Sequence, residues 1–408
     1  MKKVFIIHHS GNIGGAGVSL FHIVNSIKSM REKYTVEVYC PSSPPSICDW
    51  LEANNIKVIK AQSTPILFNH YNGCNKFVLG RFSLKNIKDI AAKKGWQEIK
   101  NAIEISKPDI VAVNSMTLCW MGSLIKEMGI KVICFHRETY AKGLFGVRSE
   151  YIKKCLKRNF DGVCFISNHD SEVSGELSGI GEVITDKVDL DLYKFKDKKE
   201  LRGKLGINIK SFNIAYVGGI SKLKGAHVII KALANIKNDN IRVVFLQYNS
   251  QKRLKTIKDC KNLYHKIKFA IGFDYEANLL KLIDRHNLWH RIDFFPPVTN
   301  PEKYILASDI VVFPSIKPHQ ARPIYEAGAA RKPIIITNFN QTSEFTKDGF
   351  NCLTFSKENY IELSKKINIL NKNKDLYNRL LQNNYKQTIK NHNLLNLPME
   401  LDEFFTKI

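Results

Sequence analysis

Residues 314–337, PSIKPHQARPIYEAGAARKPIIIT, constrain the fold more than any other part of the chain. A short apolar run rich in β-branched residues, 308–313, precedes this stretch, and a second such run, 333–337, ends it. The IYEAGAA segment between them has helix-forming composition, and Pro323 suits the first turn of a helix. The order strand, loop, helix, strand predicts a βαβ unit of a parallel sheet.

The loop of this unit is polar, and it follows the carboxyl end of the first strand. It contains Lys317, His319, Gln320 and Arg322. A helix N-terminus that faces such a loop is a natural anion site. Glu326 lies about one turn into the helix, where a carboxylate can bind the hydroxyl pair of a ribose. From this stretch alone, an ordinary surface glutamate on an ordinary βαβ unit is the equal alternative.

Composition limits the class of protein. With 408 residues, 44% of them hydrophobic, the chain is too long for one typical core and fits two α/β domains. Its 10% aromatic content argues against disorder. The formal net charge of +24 indicates an acidic partner, which would be a phosphorylated substrate, an anionic membrane surface or nucleic acid. A general enrichment in Lys, Asn and Ile is the alternative source of this charge.

The cysteines and the apolar runs bear on location. The chain has nine cysteines and no CxxC pair, and Cys40, Cys134 and Cys164 lie inside apolar runs typical of strands. We expect buried free thiols in a reducing compartment. The first apolar run is too short for a signal peptide, and no run approaches 18 apolar residues. These features predict a cytoplasmic protein that is at most attached to a membrane surface.

A glycine-rich turn follows the first predicted strand, residues 4–10. Gly14 and Gly15 lie in this turn and open an amphipathic helix, so the backbone can approach a phosphate or a sugar closely. The pattern is not GxGxxG, and no acidic residue follows at the spacing expected for a nicotinamide site. A tight strand-to-helix turn without a ligand is the alternative.

Three further features before residue 207 suggest a ligand-facing histidine, a basic helix and a linker. His136 ends the predicted strand 131–136, where a parallel strand presents its residue to a ligand, although loop carbonyls could equally satisfy this histidine. A basic helix at 149–160 either docks on an anionic surface or is simply solvated. The lysine-rich stretch 194–206 is the best candidate for a linker between domains.

The strand–glycine–helix scheme then restarts. Residues 212–219 form a predicted strand that ends in Gly218 and Gly219, and Lys222 and Lys224 precede the next helix. Backbone N–H groups together with a mobile ammonium suit a diphosphate. The GxxxxGK[ST] pattern of a Walker A loop is absent.

Taken in order, the motifs resemble those of glycosyltransferase family 4. They are GGAG, a strand ending in His136, VITDKVDLDLY, YVGGISKLKG, RIDFFPPV and VVFPSIKPHQARPIYEAGAARKPIII. The family consists of retaining, nucleotide-sugar-dependent enzymes with an α/β fold called GT-B. The resemblance implies two Rossmann-like parallel-sheet domains facing across a cleft. Residues 1–192 would form the acceptor-side domain and 193–387 the nucleotide-sugar domain, and a C-terminal helix at about 388–408 would pack back on the first.

The resemblance also implies roles for individual residues. Lys224 corresponds to the lysine that binds the diphosphate, Glu326 to the glutamate that binds the ribose, and His136 to the histidine near the donor sugar. Neither a metal nor a cofactor is expected, and the donor would be UDP- or GDP-linked. The expected substrate-binding residues are Gly14, Gly15, Gly218, Gly219, Lys222, Val298, His319, Gln320, Ala321 and Arg322.

The chain departs from the family pattern at two positions. Pro318 stands where the family has the first glutamate of its E-x7-E motif, and Gly219 stands where it has a phosphate-binding arginine. Backbone groups of residues 319–322 would replace the glutamate, and Lys222 or Arg322 would supply the missing charge.

We therefore expect a metal-independent, retaining glycosyltransferase of the hexosyltransferase type. It would move a sugar to a glycan or lipid-linked acceptor in surface polysaccharide biosynthesis, with a possible anionic membrane surface as a further partner. The alternatives are a catalytically decayed homologue that serves as a scaffold and, less favoured, a nucleic-acid glucosyltransferase. Nucleic acid is the weaker partner because the sequence has no stacking platform of interleaved aromatic and basic residues.

Overall fold

The computed structural model describes residues 1–42, 46–62, 93–140, 146–175, 177, 179–194, 197–248, 274–298, 300–318 and 322–408. It divides into two compact units. Unit 1 consists of Met1–Lys187 together with Asn393–Ile408, and unit 2 is Val188–His392.

Strands alternate with helices along both units. The strands of unit 1 are β1 (Lys2–Ile7), β2 (Tyr34–Pro41), β3 (Val58–Ala61), β4 (Ile110–Val113), β5 (Lys131–His136), β6 (Gly162–Phe165) and β7 (Gly181–Val183). Those of unit 2 are β8 (Phe212–Val217), β9 (Ile241–Leu246), β10 (Ile292–Phe294), β11 (Ile310–Phe313), β12 (Ile334–Thr337) and β13 (Leu353–Phe355).

The helices cover these sheets. In chain order they are α1 (Gly14–Ser29), α2 (Ser46–Ala53), α3 (Trp96–Ser106), α4 (Gly122–Lys126), α5 (Val147–Asn159), α6 (Asn168–Ser174), α7 (Lys198–Leu205), α8 (Ala226–Ala234), α9 (Tyr275–Arg285), α10 (Pro301–Ala307), α11 (Arg322–Ala329), α12 (Tyr360–Lys372), α13 (Lys374–His392) and α14 (Leu397–Thr406). The predicted βαβ unit is thus confirmed as β11, α11 and β12.

Each unit contains one parallel sheet. The strand order is β3-β2-β1-β4-β5-β6-β7 in unit 1 and β10-β9-β8-β11-β12-β13 in unit 2. The central strands are apolar and buried along their length because helices cover both faces. In each sheet the order reverses beside the first strand, between β1 and β4 and between β8 and β11. Ligands of such sheets bind at the carboxyl ends of the strands at this reversal.

Helices at both ends of the chain belong to the core of unit 1. Helix α1 begins at Gly14, inside the glycine-rich turn, and it buries Leu20, Ile23, Val24 and Ile27. Helix α14 adds a second apolar face to the same cluster as α1. The core residues that α14 contributes are Leu397, Leu401, Phe404 and Phe405.

The predicted linker at 194–206 is wrong over most of its length. Residues 198–205 form α7, which the Asp197 carboxylate caps by accepting from Lys199 N and which ends at Gly206 in the left-handed region, at φ 70°. Leu201 and Arg202 are buried in unit 2. The high lysine content misled the prediction because the other side chains of this helix are solvated.

A charged cluster holds α7 against the amino-terminal ends of β8 and β11. Lys198 Nζ donates to Asp309 Oδ1 at 2.7 Å, and Arg202 Nη2 donates to Asp309 Oδ2 at 2.6 Å. The Asn213 N–H donates to the same Oδ2 at 2.7 Å. Lys332, only 8% exposed, lies within electrostatic range of the cluster. Two cations, Lys198 and Arg202, therefore bind one buried carboxylate, and a third basic side chain lies beside it.

The cysteines and the helices agree with two simpler expectations. All the cysteines in the described residues are free and buried, as predicted; they are Cys40, Cys48, Cys119, Cys134, Cys155, Cys164 and Cys352. Among the helices that the structure describes, none has both the length and the apolar character needed to span a membrane.

Candidate functional site

Two loops meet at the strand-order reversal of unit 2. We call residues 218–225, after β8, the glycine loop and residues 314–322, after β11, the polar loop. Ser315 Oγ donates to the Leu223 carbonyl at 3.1 Å, and the Ile316 N–H donates to the same carbonyl at 2.9 Å. The two motifs that the sequence analysis singled out in this half are therefore in direct contact.

The glycine loop tolerates no side chain at its last position. Gly225 has a φ of 74°, and a Cβ atom there would lie 1.8 Å from the backbone oxygen of Pro314. Such a distance is far inside van der Waals contact, so the residue must be glycine for the two loops to pack together.

Steric contacts also fix the two glycines that begin this loop. A Cβ on Gly218 would lie 2.3 Å from the ring of Tyr216, whose hydroxyl donates to the carbonyls of Gly219 and Lys224. Gly219 has a φ of 59°, and its Cβ would lie 2.9 Å from the carbonyl oxygen of Gln247. An arginine at position 219 would therefore require another backbone path. The departure from the family pattern has a steric cause in this chain.

Charged side chains converge above this contact. Arg322 Nε donates to Glu326 Oε1 at 3.1 Å, one turn apart on α11, and both side chains are largely buried. Burial lowers the pKa of the Lys224 ammonium, and the nearby Glu326 carboxylate opposes that shift. The structure thus brings Lys224, from the glycine loop, and Arg322, at the start of α11, each within electrostatic range of Glu326.

Two residues that the sequence analysis missed face the same carboxylate. Tyr193, in a 3-10 turn at Leu190–Tyr193, has a pKa raised well above its usual value by burial, with Glu326 adding to the shift. Burial also raises the pKa of Glu302 at the start of α10, and Glu326 contributes to this shift too. Tyr193 ends the motif VITDKVDLDLY, where it had no assigned role, and Glu302 lies outside the quoted motifs. Only the packing of α10 and of this turn reveals their relation to Glu326.

The other predicted residues of unit 2 have varied surroundings. Val298 is half-buried and packs against the apolar cluster under the polar loop. Lys222 is exposed, and Pro318 is half-buried. His319, Gln320 and Ala321 lie outside the described residues.

In unit 1 the predicted residues lie at the corresponding edge of the sheet. Gly14 and Gly15 are exposed in the first turn of α1, and Gly14 has a φ of 33°. His136 ends β5, and its side chain is fully buried. The rings of Tyr140 and Phe165 each lie 5.0 Å from the imidazole, centroid to centroid. The next polar side chains, Arg137 and Glu138, are also largely buried, with 5% and 16% of their side-chain surface exposed.

A polar cluster that the sequence analysis did not assign lies beside His136. His8 Nδ1 is 2.9 Å from Asn114 Nδ2, and His9 Nδ1 is 3.0 Å from the Asn114 carbonyl. Arg137 bridges Asn114 Oδ1 at 3.3 Å and Asp186 Oδ1 at 3.1 Å. Burial, with help from His9 and Arg137, lowers the pKa of His8 well below its usual value, so this imidazole is neutral at pH 7. The paired histidines directly after β1 were the available sequence signal.

Glu138 completes this cluster. Its Oε1 accepts from Ser115 Oγ at 2.5 Å, and its Oε2 accepts from the Met116 N–H at 3.2 Å. His9 Nε2 lies 4.0 Å from Oε1. Together with the preceding groups, this makes a cluster of hydrogen-bond donors and acceptors at the reversal between β1 and β4. Across the described residues we find no group of three His, Cys, Asp or Glu side chains arranged to hold a metal ion.

Part of unit 2 is similar in sequence to one known protein family. Residues 197–387 match the family model for glycosyl transferases group 1. The resemblance seen in the sequence is thereby confirmed.

The curated relatives are named as glycosyltransferases, and the chain matches each of them over part of its length. The chain is 28% identical over 202 residues to a D-inositol 3-phosphate glycosyltransferase of Paenarthrobacter aurescens, covering 47% of this chain and 45% of that protein. It is 23% identical over 192 residues to the enzyme of the same name from Mycobacterium bovis, covering 45% of this chain and 36% of that protein. The alignments thus span less than half the length of either relative.

Solved structures match over the whole chain. HepE of Anabaena, crystallised with UDP and glucose, superposes with a TM-score of 0.75 at 18% identity and 100% coverage of both chains. Sucrose-phosphate synthase of Thermosynechococcus elongatus gives a TM-score of 0.72 at 13% identity, covering 100% of this chain and 99% of that one. The fold, with its two Rossmann-like parallel-sheet domains, is therefore GT-B.

Proposed function

We propose that the protein is a retaining glycosyltransferase that takes a sugar from a nucleotide diphosphate donor. The observation that carries the proposal is the convergence of Lys224, Arg322 and Glu326 where the glycine loop and the polar loop touch. A cation, a helix N-terminus and a carboxylate at this reversal suit a nucleoside diphosphate, in which two phosphates adjoin a ribose diol.

Each group has a chemical task in this proposal. Lys224 and the first N–H groups of α11 stabilise the negative charge that develops on the departing diphosphate. Glu326 accepts hydrogen bonds from the ribose hydroxyls, and Arg322 holds that carboxylate in position through its own hydrogen bond. Gly218 and Gly219 let the backbone approach the phosphates. The incoming hydroxyl attacks from the face that the diphosphate leaves, so the anomeric configuration is retained.

UDP is the first donor nucleotide to test, because HepE, which shares this fold, was crystallised with it. For the acceptor we propose a glycan or a lipid-linked glycan, bound through hydroxyl groups by the polar cluster of His9, Asn114 and Glu138 in unit 1. The curated relatives are named for an inositol phosphate acceptor, which makes a phosphorylated polyol a useful first acceptor to screen.

The test compares nucleotide binding by matched variants. Calorimetry with UDP and with GDP measures wild type, Lys224→Met and Glu326→Gln, with Lys237→Met as an exposed control of equal charge change. Loss of one charge-assisted hydrogen bond weakens binding by about 2 kcal/mol, or roughly thirtyfold. Wild-type affinity in both site variants would refute the site. Failure of every nucleotide and nucleotide sugar to bind wild type would favour the scaffold alternative.

Turnover tests the finer parts of the proposal. NMR of the product of a UDP-sugar reaction shows whether the anomeric configuration is retained, and an inverted product would refute the retaining mechanism. We expect unchanged turnover in EDTA, since Lys224 and α11 take the place of a metal. Salt-resistant binding to DNA or RNA at physiological ionic strength would instead favour the nucleic-acid alternative.

A further inference from the structure

A second cavity in unit 2 has no role in the proposed chemistry. It lies between α8 and α9 and has a volume of about 280 Å³, near the lower end of the range for small-molecule sites. Lys222, His227 and Lys231 line one side of it. Tyr275, Leu279 and Leu282 line the other.

Hydrogen bonds fix the protonation of the histidine. The Tyr275 hydroxyl accepts from the His227 backbone N–H at 3.1 Å and lies 2.9 Å from His227 Nδ1. Because the hydroxyl also has a proton to donate, Nδ1 is the acceptor and the neutral imidazole carries its proton on Nε2. That N–H is 3.5 Å from Glu358 Oε1, on an exposed side chain. Tyr275 therefore holds His227 in the tautomer whose outer nitrogen is a donor.

The charges around the cavity favour an anion. Lys222 and Lys231 are both exposed, and Lys231 Nζ lies 5.7 Å from the centre of the Tyr360 ring, so its ammonium is held beside the cavity by a weak contact. Glu358 Oε1, on a side chain that is 48% exposed, lies 3.5 Å from His227 Nε2. Two lysines and an N–H donor thus line the cavity near this half-exposed carboxylate.

The shape of the cavity narrows the ligand further. Leu279 and Leu282 supply an apolar floor, and Tyr275 supplies an aromatic wall. A phosphomonoester carries close to two negative charges at pH 7 and three acceptor oxygens on a compact head. Lysine ammonium groups bind such a head as point charges, and the apolar floor accepts the carbon body of the molecule.

We propose that this cavity is a binding site for a phosphomonoester, separate from the nucleotide site at Glu326. The ligand's phosphate lies between Lys222, Lys231 and His227 Nε2, and its body lies against Tyr275 and Leu279. Its source is either a soluble sugar phosphate or the phosphate of a lipid headgroup, and both present the same chemistry to these residues.

Titration with glucose 6-phosphate, followed by ³¹P NMR on the full chain, tests the site. We expect saturable binding to wild type that inorganic phosphate displaces. Lys231→Met and His227→Leu should each weaken it roughly thirtyfold, the effect of losing one charge-assisted hydrogen bond. Lys237→Met, an exposed lysine just beyond α8, makes the same charge change outside the cavity and should bind as wild type does.

Two outcomes would overturn the proposal. One is the absence of saturable binding to wild type, and the other is an equal loss in Lys231→Met and Lys237→Met, which would trace binding to net charge alone. UDP affinity in the same proteins separates the two sites. Glu326→Gln should lose UDP binding but keep glucose 6-phosphate binding. Lys231→Met should lose glucose 6-phosphate binding but keep UDP binding. A variant that loses both ligands would contradict separate sites.

A vesicle assay distinguishes the two sources. Sedimentation with phosphatidylcholine vesicles containing phosphatidic acid is compared for wild type, Lys231→Met and Lys237→Met. A loss of vesicle binding confined to Lys231→Met, reversed in wild type by excess glucose 6-phosphate, assigns the site to a lipid phosphate. Alternatively, all three proteins bind vesicles equally, while only the cavity variants lose glucose 6-phosphate binding in the ³¹P titration. That outcome assigns the site to a soluble phosphomonoester.

Discussion

Replacing the buried lysine at position 332 should make unit 2 more stable and change its response to pH. Burial lowers the pKa of Lys332 from 10.5 to about 7. The positive charges of Lys198 and Arg202 add to this shift, and the Asp309 carboxylate opposes it. The side chain is 8% exposed, so solvent screens this effect little. The substitution Lys332→Met keeps the length of the chain and removes the charge.

The size of the effect follows from proton linkage. Between pH 7 and 10.5 the unfolded chain holds a proton on this lysine that the folded chain lacks, so stability rises with pH by about 1.4 kcal/mol per unit. Below pH 7 both states are charged, and the full penalty of roughly 5 kcal/mol is present. We therefore expect Lys332→Met to be several kcal/mol more stable than wild type at pH 6. That advantage should shrink by about 3 kcal/mol between pH 7 and pH 9.

Urea denaturation followed by circular dichroism at pH 6, 7, 8 and 9 measures both quantities. Lys357→Met serves as control, because Lys357 is an exposed lysine of the same unit. The difference between Lys357→Met and wild type should be small and independent of pH. A gap between Lys332→Met and wild type that stays constant from pH 6 to 9, or that favours wild type at pH 6, would refute the account of the charged cluster.

Three further substitutions test other contacts. Gly225→Ala places a methyl group against the Pro314 carbonyl, so it should lower the free energy of unfolding in urea by at least about 3 kcal/mol and abolish UDP binding. The control Gly203→Ala, on an open face of α7, should raise the free energy of unfolding by about 1 kcal/mol. Equal effects of the two substitutions would refute the packing of the two loops. Asp309→Asn leaves Lys198 and Arg202 without their carboxylate and should cost about 3–5 kcal/mol, and a neutral result at pH 7 would show that α7 does not depend on this cluster. Phe404→Ala should cost about 3–5 kcal/mol in the unfolding of unit 1, and an unchanged midpoint would place α14 outside that core.

The sequence predicted the sheets well because their strands are apolar on both faces. Strand β5 was predicted at its observed bounds, 131–136, and β12 within one residue. Others were predicted too long, as at 212–219, where the observed strand ends at Val217. A strand ends where its partner ends, and that depends on residues distant in the chain. The short strand Leu353–Phe355 was missed, since three residues give no period to detect.

The candidate site was predictable only where local chemistry marks it. Glycines and lysines beside a strand end identified the glycine loop, and a carboxylate one turn into a helix identified Glu326. Tyr193 and Glu302 reach Glu326 through the packing of separate segments, for which the sequence has no local signal. His136 was placed at the correct strand end, but whether its side chain is buried depends on Phe165, a neighbour on the adjacent strand.

The position of α14 in the chain reverses the order in which the two units can fold. Unit 2 is one uninterrupted segment, and the N–H of its first residue, Val188, donates to the carbonyl of its last, His392, at 2.8 Å. It is in effect an insertion whose ends adjoin, a form that domains tolerate well. Unit 1, although synthesised first, lacks the apolar face of α14 until residues 393–408 have left the ribosome. During synthesis, unit 2 can therefore be complete while unit 1, which precedes it, still has an open core.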